Sequence, residues 1–144
     1  MLRILAVTNI YPTPQAPALG TFVEQQIEGI RRIGLDVDVM FLDRAQRGMG
    51  AYLGLGRQIR AEIANYRPDL VHVMYGGVMA NEVTRTICDR RTVVSFCGSD
   101  LLGENLSGTV RKVISECGVL ASYRAARRAT KIVVKSKNLQ EIFR

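Results

Sequence analysis

Four residue groups in this chain carry side chains that could act chemically on a ligand. The first is Cys97-Gly98-Ser99-Asp100, a thiol, a hydroxyl and a carboxylate within four positions. A cysteine nucleophile needs a base to make thiolate, and the sole histidine, His72, lies between Val71 and Val73 in an apolar run. A packed histidine is the better reading than a base there, and a Cys–His hydrolase is a weak one. Ser99 and Asp100 either cap the segment that follows or contact a substrate hydroxyl. The second group is Tyr75-Gly76-Gly77, and the third is Lys135-Ser136 near the end of the chain. The fourth is Gly20-Thr21, which either presents free backbone N–H groups at a helix start or serves only as turn and cap.

The three cysteines, Cys88, Cys97 and Cys117, form no CxxC pair, and one histidine cannot complete a zinc set, so no metal site is expected. The same cysteine usage fits a reducing cytosol. The run Met1–Val7 is followed by Asn9, Tyr11 and Pro12 instead of a small-residue cleavage site, and reads as a buried strand. No apolar run reaches the ~18 residues of a membrane span. A cytoplasmic protein is therefore expected, peripheral to the membrane at most.

These residues need elements to position them, and the pattern supplies a regular alternation. Strands are expected at Arg3–Thr8, from Asp36 to Leu42, and at Leu70–Tyr75, Thr92–Phe96 and Lys131–Val134. Helices are expected from Thr21 to Gly34, Ala51–Tyr66, Val78–Cys88 and Thr109–Ala129, with another beginning near Asn138 and Glu141. Thr21 and Glu24 fit a capping box, and Phe22, Val23, Gln26, Ile27 and Ile30 fall on one helical face. Five β-α units predict one α/β domain over residues 1–144: a doubly wound parallel sheet of about five strands with helices on both faces. In such a sheet ligands sit outside the carboxyl ends of the strands. That selects the loops Asn9–Gly20, Tyr75–Gly77, Cys97–Asp100 and Lys135–Asn138, where the four groups lie.

The loop after the first strand holds Pro12, Pro14 and Pro17 and a single glycine, Gly20, so it is not a dinucleotide fingerprint. No Gly-Lys-Ser/Thr phosphate loop occurs either. The net charge of +7 is uneven. Residues 1–110 hold eleven basic and eleven acidic side chains, whereas residues 111–144 hold nine basic and two acidic. Arg124, Arg127, Arg128 and Lys131 recur at three- and four-residue spacing, as they would on one helix face. Such a patch is a solvated face, a surface for an acidic partner, or a contact with anionic membrane; nucleic acid is not expected.

Four stretches resemble the N-terminal half of family 4 glycosyltransferases, which have the two-domain GT-B fold. They are Pro12…Gly20-Thr21-Phe22-Val23-Glu24-Gln25-Gln26, Arg67-Pro68-Asp69-Leu70-Val71-His72-Val73, Val93–Asp100 and Ala129–Ser136, in order across most of the chain. The resemblance implies a Rossmann-like half of a GT-B fold and a retaining transferase. Such an enzyme moves a sugar from a nucleotide-sugar donor to an acceptor hydroxyl, with no metal and no resident cofactor. It makes this the acceptor-side domain, the donor falling to a C-terminal domain that the chain lacks. The chain stops about six residues into its last helix, so a fragment, inactive alone, is expected. The cleft residues implied are Gly20, Thr21, Tyr75, Gly76, Gly98, Ser99 and Ser136, with Cys97 and Asp100 nearest the chemistry. Cys97 stands where the family commonly has histidine, and a thiol donates only a weak hydrogen bond. The acceptor is lipid-linked in members that dock on anionic membranes through a basic surface. The alternatives are a stand-alone basic binding module for an anionic partner and a GT-B nucleotide-sugar epimerase.

Overall fold

The computed structural model describes residues 1–103 and 109–143. Five strands form one sheet: β1 (Arg3–Thr8), β2 (Asp36–Phe41), β3 (Leu70–Met74), β4 (Thr92–Phe96) and β5 (Lys131–Val134). Their order is β2-β1-β3-β4-β5 and every pairing is parallel. Strand order therefore reverses between β1 and β3, the place where open α/β sheets open a crevice.

The strand sequences follow from their positions. β1 and β3 are central, buried on both faces, and read as nearly unbroken apolar runs. β2 and β5 are edges, and both alternate. In β5, Ile132 and Val134 pack on the core while Lys131 and Val133 face outward.

Helices cover both faces. The larger core sets Leu5, Val7, Val71, Val73, Val94 and Phe96 against α3 (Leu55–Tyr66), α4 (Gly77–Thr86) and α6 (Thr109–Arg128) through Ile59, Met79, Val83 and Ala125. The smaller core, on the opposite face, sets Ile4, Ala6, Val37 and Met74 against Val23 and Ile27 of α1 (Thr21–Arg32). The doubly wound α/β sheet expected from the sequence is thus the fold.

Several local expectations are corrected. The helix expected over Ala51–Tyr66 starts only at Leu55. Before it lie a short α2 (Arg44–Arg47) and a 3₁₀ turn (Gly48–Tyr52), because Leu53 is extended and Gly54 is left-handed. Thr21 and Glu24 form no capping box, since the N-cap is Gly20 with no side-chain cap bond. Phe22 is not a core residue; it is 40 % exposed. Residues 99–102 wind into a helical turn, α5. The last helix, α7 (Lys137–Glu141), is capped by Ser136, whose side chain accepts from the Leu139 N–H, and not by Asn138. Lys131 opens β5 and lies beyond the end of α6, so it does not share a helix face with Arg124, Arg127 and Arg128. Among the described residues no helix is long and apolar enough to cross a membrane.

Candidate functional site

The strand ends build two neighbouring clusters. The first surrounds the gap between β1 and β3. Immediately after β3, Tyr75 has φ 148°, a conformation side chains rarely adopt, and its hydroxyl lies 2.7 Å from Ser99 Oγ. Gly76 then turns the chain into α4 against a crowded wall. A Cβ there would lie 2.6 Å from Ser122 Oγ and 2.9 Å from the Phe96 ring, which only glycine avoids.

Asp100 organises this cluster. It is buried, and its carboxylate accepts from the backbone N–H groups of Gly76 (2.8 Å), Cys97 (3.0 Å) and Gly98 (2.8 Å). Both oxygens are therefore engaged by the loops that end β3 and β4. Asp100 thus staples the two loops together, meeting the buried N–H of Gly76 and the partly buried N–H groups of Cys97 and Gly98. Ser122, buried in the middle of α6, accepts from the Gly77 N–H at 2.7 Å and locks the start of α4 the same way.

The cleft left between these parts encloses about 170 Å³. Tyr75, Gly76, Ser99 and Asp100 line it, as expected from the sequence, but so do Asn9, Arg44, Tyr52 and Ser115, which the sequence reading missed. Asn9 was legible in principle, as the residue directly after β1 at a strand end. Arg44 and Tyr52 were not, because Arg44 lies on a segment that read as plain loop and Tyr52 fell inside the helix expected from Ala51, where the structure has a 3₁₀ turn. A larger groove of about 610 Å³ and mixed character adjoins the cleft, sharing Ser115 and Val119 with it and running along α6 past Lys112, Glu116, Leu120 and Tyr123.

The second cluster sits at the ends of β4 and β5. Lys135 Nζ lies over the Phe22 ring, 4.1 Å from its centroid, which ties the start of α1 to the end of β5. The same ammonium lies beside Cys97, where its charge and a hydrogen bond favour thiolate. Partial burial outweighs this, with a smaller push from Asp100, and the net effect raises the Cys97 pKa. The thiol is therefore protonated at neutral pH and is not an activated nucleophile.

The remaining expected residues do not face the cleft. Gly20 is filled by its own loop: at φ +75°, a Cβ there would lie 2.7 Å from the Ile10 carbonyl carbon. Thr21 is exposed at the first turn of α1, and Ser136 is used as the cap of α7. Gly98 is held by its N–H donating to Asp100 and does not line the cleft. His72 lies on the α1 side of the sheet, buried, with Nε2 2.7 Å from Ser95 Oγ. Burial lowers its pKa to about 4, so it is neutral and serves packing. In the basic patch, Arg128 donates to Asn81 Oδ1 at 2.8 Å, while Arg124 and Arg127 are exposed on α6. Among known proteins, no family model matches the chain and no curated protein is similar to it.

Proposed function

We propose that this chain is the acceptor-side α/β domain of a retaining GT-B glycosyltransferase, which positions an acceptor hydroxyl for a sugar delivered by a nucleotide-sugar donor from a second domain. The observation that carries the reading is convergence. The four stretches similar to the family's form the start of α1, β3, β4 and β5, and the polar ends of three of them, Gly20-Thr21, Cys97–Asp100 and Lys135-Ser136, lie toward the carboxyl rim of one parallel sheet. A hydroxylated cleft opens on that rim where strand order reverses. Ser99 presents a hydroxyl to the acceptor, and Asp100 keeps the loop in place. Cys97 occupies the position of the family's histidine, and Lys135 supplies the positive charge that a thiol cannot carry.

The test is nucleotide release from a panel of nucleotide sugars by the protein that contains this chain, with and without hydroxylated acceptors. Release that depends on acceptor supports the reading, and the isolated chain should release nothing. Turnover with no acceptor present favours an epimerase. Turnover by the isolated chain overturns the division of labour between two domains.

The exposed side of α6 favours an anionic membrane surface as partner. Leu120 and Tyr123 are exposed there beside Arg124 and Arg127. Clustered basic residues gain on the order of 1 kcal/mol each near anionic lipid. Sedimentation with anionic vesicles, but not with neutral ones, is the expected outcome; equal recovery with both removes the membrane from the account.

A further inference from the structure

The cleft between β1 and β3 contains a polar atom that the protein itself does not satisfy. Asn9 is 8 % exposed and its Nδ2 donates to the Tyr52 hydroxyl at 3.0 Å, while its Oδ1 has no partner among the described residues. Exchanging the two amide atoms changes which one is unmet, not whether one is, because the Tyr52 hydroxyl can serve either. A buried unmet group of this kind costs on the order of 1–3 kcal/mol. A ligand hydroxyl, which both donates and accepts, satisfies either orientation.

Two other parts of the lining, Arg44 and the start of α4, carry positive potential, beside the one carboxylate of Asp100 that is bound to backbone amides. α4 is a ten-residue helix whose N-terminus forms part of the cleft. The N–H groups of Gly76 and Gly77 are taken by Asp100 and Ser122. That of Val78, at the second helical position, has no partner among the described residues, and it meets the positive end of the helix dipole. Arg44 lines the same cleft and has no acidic partner among the described residues. A guanidinium and a helix start together match an oxyanion. The volume is well below the ~300–1,000 Å³ of sites for drug-sized ligands, so the occupant is a single small molecule.

We propose that this cleft binds a small polyhydroxylated anion, a sugar or polyol carrying one phosphate or carboxylate. A hydroxyl of the ligand meets Asn9, and the oxyanion sits between Arg44 and the start of α4. As a statement about the acceptor this rests on the transferase reading; as a statement about binding it does not.

The whole chain, labelled with ¹⁵N, is titrated with hexose 6-phosphates, glycerol 3-phosphate and hexuronates, alongside uncharged hexoses and inorganic phosphate, and no donor sugar is present. At least one of the charged polyols should shift the Val78 amide and the Asn9 side-chain amide. It should bind at least tenfold more tightly than the neutral hexose or phosphate alone. A phosphorylated binder with no hexuronate binding assigns the phosphate source, and the reverse assigns the carboxylate. Arg44→Gln, a change at an exposed position, should weaken the charged ligand about tenfold and leave the neutral hexose unchanged. Asn9→Ala should weaken both. Failure of every charged polyol to move these resonances, or unchanged affinity in Arg44→Gln, overturns the proposal and leaves transfer to a neutral acceptor standing. Charged-polyol binding without any acceptor-dependent nucleotide release does the reverse.

Discussion

Cys97 and Asp100 are three residues apart in one loop, yet they belong to regions built on opposite terms. Around Asp100, polar groups are buried and used up: one carboxylate serves three backbone amides, and Ser122 serves a fourth. Around Cys97, the side chains are partly or fully exposed, with Lys135 resting on the face of Phe22, and of Cys97 only the backbone is tied to Asp100. The first region fixes backbone shape, and the second adjusts charge at the mouth of the sheet. The difference shows that the most chemically capable side chain in a loop need not be the one that meets a ligand. The Asp100 carboxylate, with three backbone donors, is largely committed to holding the loops, while Ser99 beside it lines the same cleft with a hydroxyl.

The contrast is broken most severely by Asp100→Ala. One buried amide and two partly buried ones lose their acceptor together, and a loss of about 4 kcal/mol is expected, read from the denaturant midpoint. A loss under about 1 kcal/mol would mean the carboxylate is free for a ligand after all.

The next effect concerns β4, from which both regions hang. Beneath them the His72–Ser95 contact joins β3 to β4. His72 has a folded pKa of about 4 against 6.5 when exposed, so the fold favours its neutral form. The associated stability is complete above pH 6.5 and is lost as pH falls from there towards 4, amounting to roughly 3 kcal/mol by the lower limit. Urea titrations between pH 7 and pH 4 should show this slope in the parent chain and a shallower one in His72→Asn. Parallel slopes would refute it.

Gly76→Ala sharpens the comparison from the side of space. The added methyl would press on Ser122 Oγ and Phe96, at a cost of about 2 kcal/mol in thermal or denaturant unfolding. The smallest effect is on the exposed side. Lys135→Met should leave stability within about 0.5 kcal/mol, as surface changes do. Because the Lys135 charge favours the thiolate, its removal should raise the Cys97 pKa further and slow alkylation of that cysteine at pH 8. Faster alkylation would show that Lys135 shields Cys97 more than it polarises it.

Much of the architecture is legible from residue order because it rests on local rules. Apolar runs such as Thr92–Phe96 and Lys131–Val134 end where they were expected to, and Pro68 and the glycines mark the breaks. The rim position of Tyr75, Gly76 and Ser99 follows from strand direction alone. Legibility failed where one side chain had two possible partners. Thr21 and Glu24 have the spacing of a capping box, but the approach of Ile10 and Tyr11 forces Gly20 into the cap, with no side-chain cap bond. Lys131 has helical spacing from Arg128, but strand pairing with Val93 claims it first.

The sequence by itself therefore determined the alternation of elements, the parallel sheet and the rim on which the polar residues gather, since periodicity and turn chemistry act over a few residues. Only tertiary structure decided that Asp100 is bound to backbone amides of two loops, that Asn9 is left with an unmet atom, and that Arg44 lines the same cleft. Those outcomes depend on which groups meet across gaps of 24 to 45 positions, as between Gly76 and Asp100 or Gly77 and Ser122, and no local pattern encodes such a meeting.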